Sequence, residues 1–187
     1  LVERLLELAS AGGGQAAERT KVDLLDSARE CAADLTVLAE QKRQTIEISG
    51  DDCSLVTDPV LFRQALQNLI ENAIKYSPEA TTIRVQVRRT ESSSAVSVMD
   101  EGPGIAPEDR TRLSERFYRP DQSRGRASGG FGLGLAITKA YLRVLGGSLH
   151  HEPAVPRGSV FRLELPASWA GTGDATRRRK FPSEISG

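Results

Sequence analysis

The sequence predicts an α+β fold, a two-layer α/β sandwich in which about three helices cover one face of a mixed sheet of about five strands. Two observations lead to this prediction. Helix-like and strand-like segments are mixed along the chain, and some strand-like segments follow one another through turns short enough for antiparallel hairpins. The chain has 187 residues, of which 39% are hydrophobic, and this is enough for one domain with an ordinary core.

The first helix is predicted between Val22 and Gln41, where apolar residues recur at spacings of four and three. The residues of this apolar stripe are Leu24, Ala28, Cys31, Leu35 and Leu38. Residues 45–49 and 53–57 are then predicted to be two short strands on either side of a Gly-Asp-Asp turn.

The second helix is predicted to begin where Asp58 precedes Pro59, because an N-cap aspartate followed by proline is typical of a helix start. It is expected to end at about Tyr76, before Pro78. Its core-facing stripe consists of Phe62, Leu66, Leu69 and Ala73.

The second half of the chain is predicted to contain two pairs of strands and two helices. The period-2 alternation of apolar and polar residues indicates half-buried strands, and the helical spacing of apolar residues indicates the helices. The predicted elements are strands at 81–89 and 95–100, helices at 107–117 and 133–145, and a closing hairpin formed by segments 147–152 and 158–166.

The composition disfavours several classes of partner. Lys and Arg total 25, as do Asp and Glu, so no general electrostatic attraction to nucleic acid or to an acidic membrane is expected. No apolar run approaches the ~20 residues that cross a bilayer, and we expect no membrane contact by this segment. Cys31 and Cys53 are isolated, which favours small core residues in a reducing compartment such as the cytoplasm over a metal site.

The segment NLIENAIKYSP, residues 68–78, carries the first candidate site residues. Asn68 and Asn72 are four residues apart and therefore share one helix face, with Lys75 on the adjoining face. Asparagine is a mediocre helix former, so two of them stacked on one face require a reason. One interpretation is a polar stripe that faces solvent. The other is an amide-oxygen ligand for a hard cation, with the lysine for phosphate charge.

The segment VMDEGPGIAP, residues 98–107, leads from the end of a strand into a glycine-rich loop. The glycines permit a close approach of a planar ligand to the backbone. Asp100, at the end of a strand with one buried face, could accept a hydrogen bond from an exocyclic amine. The alternative is a tight loop with a turn-forming aspartate.

The segment GGFGLGLAI, residues 129–137, places four glycines at the start of a predicted helix. Glycines at this point expose the first-turn N–H groups, which have no intrahelical acceptor, and the helix dipole adds roughly half a positive charge there. The arrangement favours binding of a polyphosphate. The glycine spacing fits neither the dinucleotide-binding template nor a P-loop.

Taken in order, these three segments and residues 115–119 (ERFYR) resemble the N, G1, F and G2 boxes of the ATP-binding, catalytic domain of sensor histidine kinases, in the superfamily shared with DNA gyrase. The resemblance covers residues 20–166. It implies a protein-histidine kinase that binds ATP and Mg²⁺ and transfers the γ-phosphate to a histidine on a separate dimerisation domain. A response regulator would be the downstream partner.

By position, the resemblance implies that Asn72 is the magnesium ligand, with Asn68 supporting it. Lys75 would contact phosphate, and Tyr76 would lie against the nucleotide. For Glu71 two interpretations stay open: it orients or accepts a proton during transfer, or it is an outward-facing helix glutamate.

For the base, the resemblance implies that Asp100 accepts a hydrogen bond from the adenine amino group. Gly102 and Gly104 would shape this pocket, and Ile105 would form one wall.

For the phosphates, the resemblance assigns the second glycine-rich segment and a lid before it. Residues 119–129 would form a mobile ATP lid. Cofactor-binding residues in this part are Arg119, Arg124, Gly130, Gly132, Leu133 and Gly134, with Arg126 as a further arginine able to reach phosphate.

The same resemblance suggests a domain organisation. Residues 1–10 would be a remnant of the dimerisation-domain helix, residues 11–20 a linker, residues 21–167 the catalytic domain and residues 168–187 a mobile tail. The parent protein would be either an inner-membrane sensor with this domain in the cytoplasm or free of the membrane.

Two other functions remain open from the sequence. One is a serine kinase of the anti-sigma type, which shares these boxes. The other is a nucleotide-binding regulatory module without its own transfer activity.

Overall fold

The computed structural model describes residues 19–113, residue 118 and residues 133–167 of the chain. The proposed lid at 119–129, the terminal helix remnant at 1–10 and the tail at 168–187 therefore lie outside the described residues. The elements, in chain order, are β1 (Thr20–Asp23), α1 (Leu24–Glu40), β2 (Thr45–Gly50), β3 (Ser54–Thr57), α2 (Pro59–Tyr76), β4 (Thr82–Arg89), β5 (Ser93–Met99), a 3₁₀ helix (Pro107–Arg112), α3 (Gly134–Leu145), β6 (Ser148–Pro153) and β7 (Ser159–Pro166).

The main sheet has five strands in the order β2-β4-β5-β7-β6. β2 runs parallel to β4, and every other neighbouring pair is antiparallel. The parallel pair requires a long crossover, which α2 supplies. The predicted α+β class, with a mixed sheet of about five strands, is confirmed.

One face of this sheet is buried beneath the helices. Ile83, Val85 and Val87 of β4 are fully buried, whereas the residues between them are exposed. β5 and β7 show the same period of two, with Val96 and Leu163 on the buried side. α2 and α3 pack on this face and against each other. The alternation read from the sequence thus places the helices on one side of the sheet.

The start of the domain differs from the prediction. Residues 20–23 form β1, which pairs with β3 in a separate two-stranded antiparallel sheet, and α1 begins only at Leu24. The carboxyl of Asp23 accepts hydrogen bonds from the backbone N–H groups of Leu25 and Asp26, which caps the helix. The predicted stripe of α1 is buried except Leu38, which is 42% exposed; in the last turn the buried residue is Ala39, at 2%, instead.

α2 forms as predicted, from Pro59 to Tyr76, with Asp58 as its N-cap. All four residues of its predicted stripe are buried. Its direction is therefore fixed by the core, and its C-terminal turn is carried to the end of the sheet where β5 ends.

The short helix predicted at 107–117 is a 3₁₀ helix at Pro107–Arg112 in the described residues, with 114–117 outside them.

Cys31 and Cys53 are buried and free, as expected for core residues, and burial raises the pKa of the Cys31 thiol to about 11. No helix in the described residues is long and apolar enough to cross a membrane.

Candidate functional site

Two close contacts bring the three candidate segments together at one end of the domain. A Cβ added to Gly134, the first residue of α3, would lie 3.4 Å from Nδ2 and 3.8 Å from Oδ1 of Asn72. A Cβ added to Gly102 would lie 3.0 Å from the carbonyl oxygen of Tyr76. α2 is thus flanked by the start of α3 at Asn72 and by the loop after β5 at Tyr76.

Asp100 follows β5 and is 7% exposed. Its Oδ1 accepts hydrogen bonds from the backbone N–H groups of Gly102, at 2.8 Å, and Ser159, at 3.2 Å. Within the described part of the chain, these are the hydrogen bonds of this carboxyl group, so Oδ2 is left to accept from a ligand. Burial raises the pKa of Asp100 above its ordinary value, and the two backbone hydrogen bonds oppose this shift without cancelling it.

The backbone around Asp100 is packed so closely that glycine is required at two positions. Gly158 has φ +104°, and a Cβ there would overlap the carbonyl oxygen of Asp100. Gly104 has φ +76°, and a Cβ there would lie 3.2 Å from the carbonyl oxygen of Gly158. The loop after β5 therefore lies directly on the start of β7, which limits where Asp100 can point.

The start of α3 carries no side-chain cap. Ile137 N–H donates to the carbonyl of Leu133, which is the first hydrogen bond of the helix. The N–H groups before it have no acceptor within the helix and lie at its positive end. Because Gly134 is beside Asn72, an anion at this end would also be near the Asn72 amide.

The polar residues near the end of α2 differ in their exposure to solvent. Asn68 and Asn72 are half-buried, whereas Glu71 is exposed. Tyr76 is 48% exposed, and the Lys75 ammonium lies 5.1 Å from the centroid of its ring. Asn68 and Asn72 make no side-chain hydrogen bond within the described ranges, so their amides are available to a ligand.

Of the remaining predicted site residues, some are described by the structure and the others are not. Gly104 and Ile105 are half-buried in the loop after β5, and the Ile105 carbonyl accepts a hydrogen bond from Arg110 Nε. Leu133 and Gly134 are described at the start of α3. The others, Arg119, Arg124, Gly130 and Gly132, lie outside the described residues, so their assignments stay predictions.

Three residues that hold the site were missed by the sequence analysis. Gly158 and Ser159 hold Asp100 in place from almost sixty residues away in sequence. They lie where the second strand of the predicted hairpin leaves its turn. Glu101 accepts from the backbone N–H of Thr82 at 3.3 Å and lies 3.6 Å from Arg84, which ties the loop to β4. The glycine and serine at the start of β7 are visible in the sequence, but only the strand order shows that they lie beside Asp100.

No group of three or more His, Cys, Asp or Glu side chains among the described residues could hold a metal ion. Asn72 offers a different kind of site, in which one neutral amide oxygen completes the coordination of a Mg²⁺ held by phosphate oxygens. The amide is half-buried, without a hydrogen-bond partner in the described ranges, and next to a helix N-terminus, and it therefore fits that role.

The two histidines of the chain lie in β6, as the alternation rule predicts. His150 is exposed, whereas the His151 ring packs on buried Phe161 with centroids 5.0 Å apart. Burial lowers the pKa of His151, and Arg110 acts in the same direction. A cavity of about 300 Å³ lies beside them, between the 3₁₀ helix and α3. Of the predicted site residues that the structure describes, none lines this cavity.

Comparison with known proteins identifies relatives of this chain. The family model described as histidine kinase-, DNA gyrase B-, and HSP90-like ATPase matches residues 57–168. The chain is 36% identical over 168 residues to the sensor histidine kinase CusS of Escherichia coli O6:H1, covering 89% of this chain and 35% of CusS. It is 37% identical over 171 residues to the sensor-like histidine kinase SenX3 of Mycobacterium bovis, covering 89% of this chain and 41% of SenX3.

Among solved structures, full-length ShkA in complex with AMPPNP matches with a TM-score of 0.72 and 25% identity, over 91% of this chain and 37% of ShkA. The matched region of the chain corresponds to only 35% of the length of CusS and 41% of the length of SenX3, so the chain spans less than half of either relative.

The raised pKa of Asp100 predicts a pH-dependent stability. A raised folded-state pKa means that the native protein binds this proton more tightly than the unfolded chain does. The stabilisation is therefore complete below the ordinary value of 3.8 and is lost as pH rises through the folded-state pKa. Asp100→Asn, whose Oδ1 can still accept both backbone hydrogen bonds, should be more stable than the unaltered chain at pH 7.

Urea unfolding from pH 3.5 to 7 measures this difference. The gap between the two proteins should narrow toward the acid end, and the exposed Asp52→Asn should show no such gap. A gap that is constant across the range would contradict the burial argument.

Proposed function

Because the chain belongs to the family of histidine kinase-, DNA gyrase B- and HSP90-like ATPases, we propose that it is the ATP-binding catalytic domain of a sensor histidine kinase. It binds Mg-ATP and transfers the γ-phosphate to a histidine on a separate helical dimerisation domain. The phosphate then passes to a response regulator. The names of CusS and SenX3 and the AMPPNP in ShkA support this proposal.

The observation that carries the proposal is the position of Gly134 beside the Asn72 amide. It puts the N-terminus of α3, which favours a polyphosphate, next to a neutral oxygen ligand suited to magnesium. When bound, the cation would neutralise phosphate charge. The chain's own contribution is to hold the phosphates at the helix N-terminus, and phosphoryl transfer depends mainly on such positioning.

The base would lie at the other end of the site. Asp100 Oδ1 is occupied by two backbone N–H groups, so Oδ2 is the atom that accepts from the adenine amino group. A Cβ on Gly102 would lie 2.9 Å from Asp100 Oδ1 and 3.0 Å from the carbonyl oxygen of Tyr76, so glycine at this position lets the loop lie directly against the end of α2.

The phosphoacceptor is proposed to be outside this chain. An acceptor imidazole must reach the γ-phosphate, and His151 is instead packed on Phe161 while His150 bonds to the Ser148 hydroxyl at 2.8 Å. Residues 1–10 are proposed to continue from the dimerisation domain that carries the acceptor. Since the reaction consumes ATP, we place the domain on the cytoplasmic side.

The first test concerns the base. The unaltered chain should bind ATP far more tightly than GTP, because guanine presents a carbonyl oxygen where adenine presents its amino group. In Asp100→Asn the amide oxygen must stay on the two backbone N–H groups, which turns its NH₂ toward the base. ATP affinity should fall on the order of a hundredfold, and the preference over GTP should largely disappear.

Isothermal calorimetry with both nucleotides measures this change, with Asp52→Asn as the matched control. Equal affinities of the unaltered chain for ATP and GTP would refute the role of Asp100.

The second test concerns magnesium. Asn72→Ala removes the amide oxygen, so ATP binding should lose its dependence on Mg²⁺ and phosphotransfer should stop. Gln67→Ala is the control, because its side chain bonds to Asp34 on α1, away from the site. ATP binding measured with Mg²⁺ and with a chelator gives the answer. Intact transfer by Asn72→Ala would mean that the cation is held elsewhere.

The third test concerns the reaction. Incubated with γ-labelled ATP, the 187-residue chain should bind nucleotide without labelling itself. A helical dimerisation domain carrying a histidine, when added, should acquire an acid-labile label. Self-labelling that His150→Ala or His151→Ala removes would overturn this assignment. Acid-stable label on a partner's serine would indicate the anti-sigma type, and binding without any transfer would indicate a regulatory module.

A further inference from the structure

Two side chains from the turn after α1 hold the C-terminal end of α2. The Lys42 ammonium donates hydrogen bonds to the carbonyls of Ile74, Lys75 and Ser77 at 2.7, 3.1 and 2.6 Å. The Gln44 amide donates to those of Ile74, Ser77 and Pro78 at 3.2, 3.2 and 2.8 Å. None of the sequence motifs includes these two residues.

The turn that carries them is itself fixed. Lys42 and Gln44 N–H groups both donate to the carbonyl of Ala39, and Arg43 between them adopts φ 55°. Ala80 N–H donates to the carbonyl of Lys42 at 3.0 Å. The chain after α1 and the chain after α2 are thus joined through both backbone and side chains, and the Lys42 ammonium has little freedom to move away.

These contacts supply partners for carbonyls that a helix end leaves unpaired. The last four carbonyls of α2, those of residues 73–76, find no N–H donor within the helix. Ser77 N–H satisfies that of Ala73, and Lys42 satisfies those of Ile74 and Lys75. A cation at this end also opposes the negative pole of the helix dipole.

The next carbonyl, of Tyr76, is the one against which Gly102 packs. Gly102 N–H in turn holds Asp100 Oδ1. A short path of contacts therefore leads from Lys42 through the last turn of α2 to the loop that carries the proposed adenine acceptor. Any fraying of that turn would move the Tyr76 carbonyl and change the spacing of the Asp100–Gly102 loop.

We infer that Lys42, assisted by Gln44, is a positioning residue for the nucleotide site: it fixes the last turn of α2 so that Tyr76 and Gly102 keep the base pocket open to adenine. This inference rests on the proposed nucleotide binding. Lys42 acts through the backbone of α2 and does not itself contact the nucleotide.

Lys42→Met keeps the length of the side chain and removes its charge and donors. ATP affinity should fall on the order of tenfold at a temperature well below the unfolding midpoint of the variant. Lys42→Arg restores a cationic donor and should stay within about threefold of the unaltered chain. Arg43→Met is the matched control, since it removes an adjacent positive charge whose partner is the exposed Glu79.

A second readout separates positioning from stability. The backbone amide resonance of Gly102 in a nitrogen-15 spectrum reports its hydrogen bond to Asp100. It should shift in Lys42→Met without nucleotide and return in Lys42→Arg. A cap that only stabilised the fold would lower the melting temperature of Lys42→Met while leaving both this resonance and the ATP affinity unchanged, and that result overturns the inference.

Two further outcomes are decisive. If Lys42→Met does not fold, Gln44→Met takes its place, and it should shift the Gly102 resonance and weaken ATP binding to a smaller extent; no change in either would overturn the inference. If the unaltered chain fails to bind Mg-ATP, the proposed function falls and the inference with it. Normal binding by the unaltered chain and equal binding by Lys42→Met refute the inference alone.

Discussion

A carboxyl group that is 7% exposed destabilises a fold when ionised, unless backbone donors compensate for the lost water. Asp100 receives two such donors on one oxygen, from Gly102 and Ser159. The same two hydrogen bonds join the end of β5, the loop after it and the start of β7. The proposed site depends on this constraint, because both donors are bound by one carboxyl oxygen and the other accepts no hydrogen bond among the described residues.

The proposed phosphate end is built on a different principle. There the chain supplies few charged groups in the described residues and relies on backbone geometry, with the uncapped start of α3 placed beside the Asn72 amide. α2 connects the two ends, since Asn72 lies at one contact and the Tyr76 carbonyl at the other. Its burial through Phe62, Leu66 and Leu69 fixes its place in the core, and with it the spacing between the proposed base and phosphate ends.

Much of this arrangement could be predicted from local sequence. Periodicity located α2 and α3 and the strands of the main sheet, and glycine spacing identified the two segments that lie beside α2 at Gly102 and Gly134. β1 was missed because four residues that pair only with distant β3 carry no pattern of their own. Ser159, Gly158 and Lys42 were missed for the same reason: each acts on a segment more than thirty residues away, and only the strand order and the turn after α1 bring them there.

The proposed function requires that the three segments form a single nucleotide site. Titration of the nitrogen-15-labelled chain with Mg-ATP, followed by two-dimensional NMR, tests this requirement. We expect the largest shifts to fall together, at a common ATP concentration, on the Asn72 side-chain amide and on the backbone amides of Gly102 and Gly134. Shifts confined to residues around the cavity at Arg110 and His151, with these three groups unmoved, would contradict it.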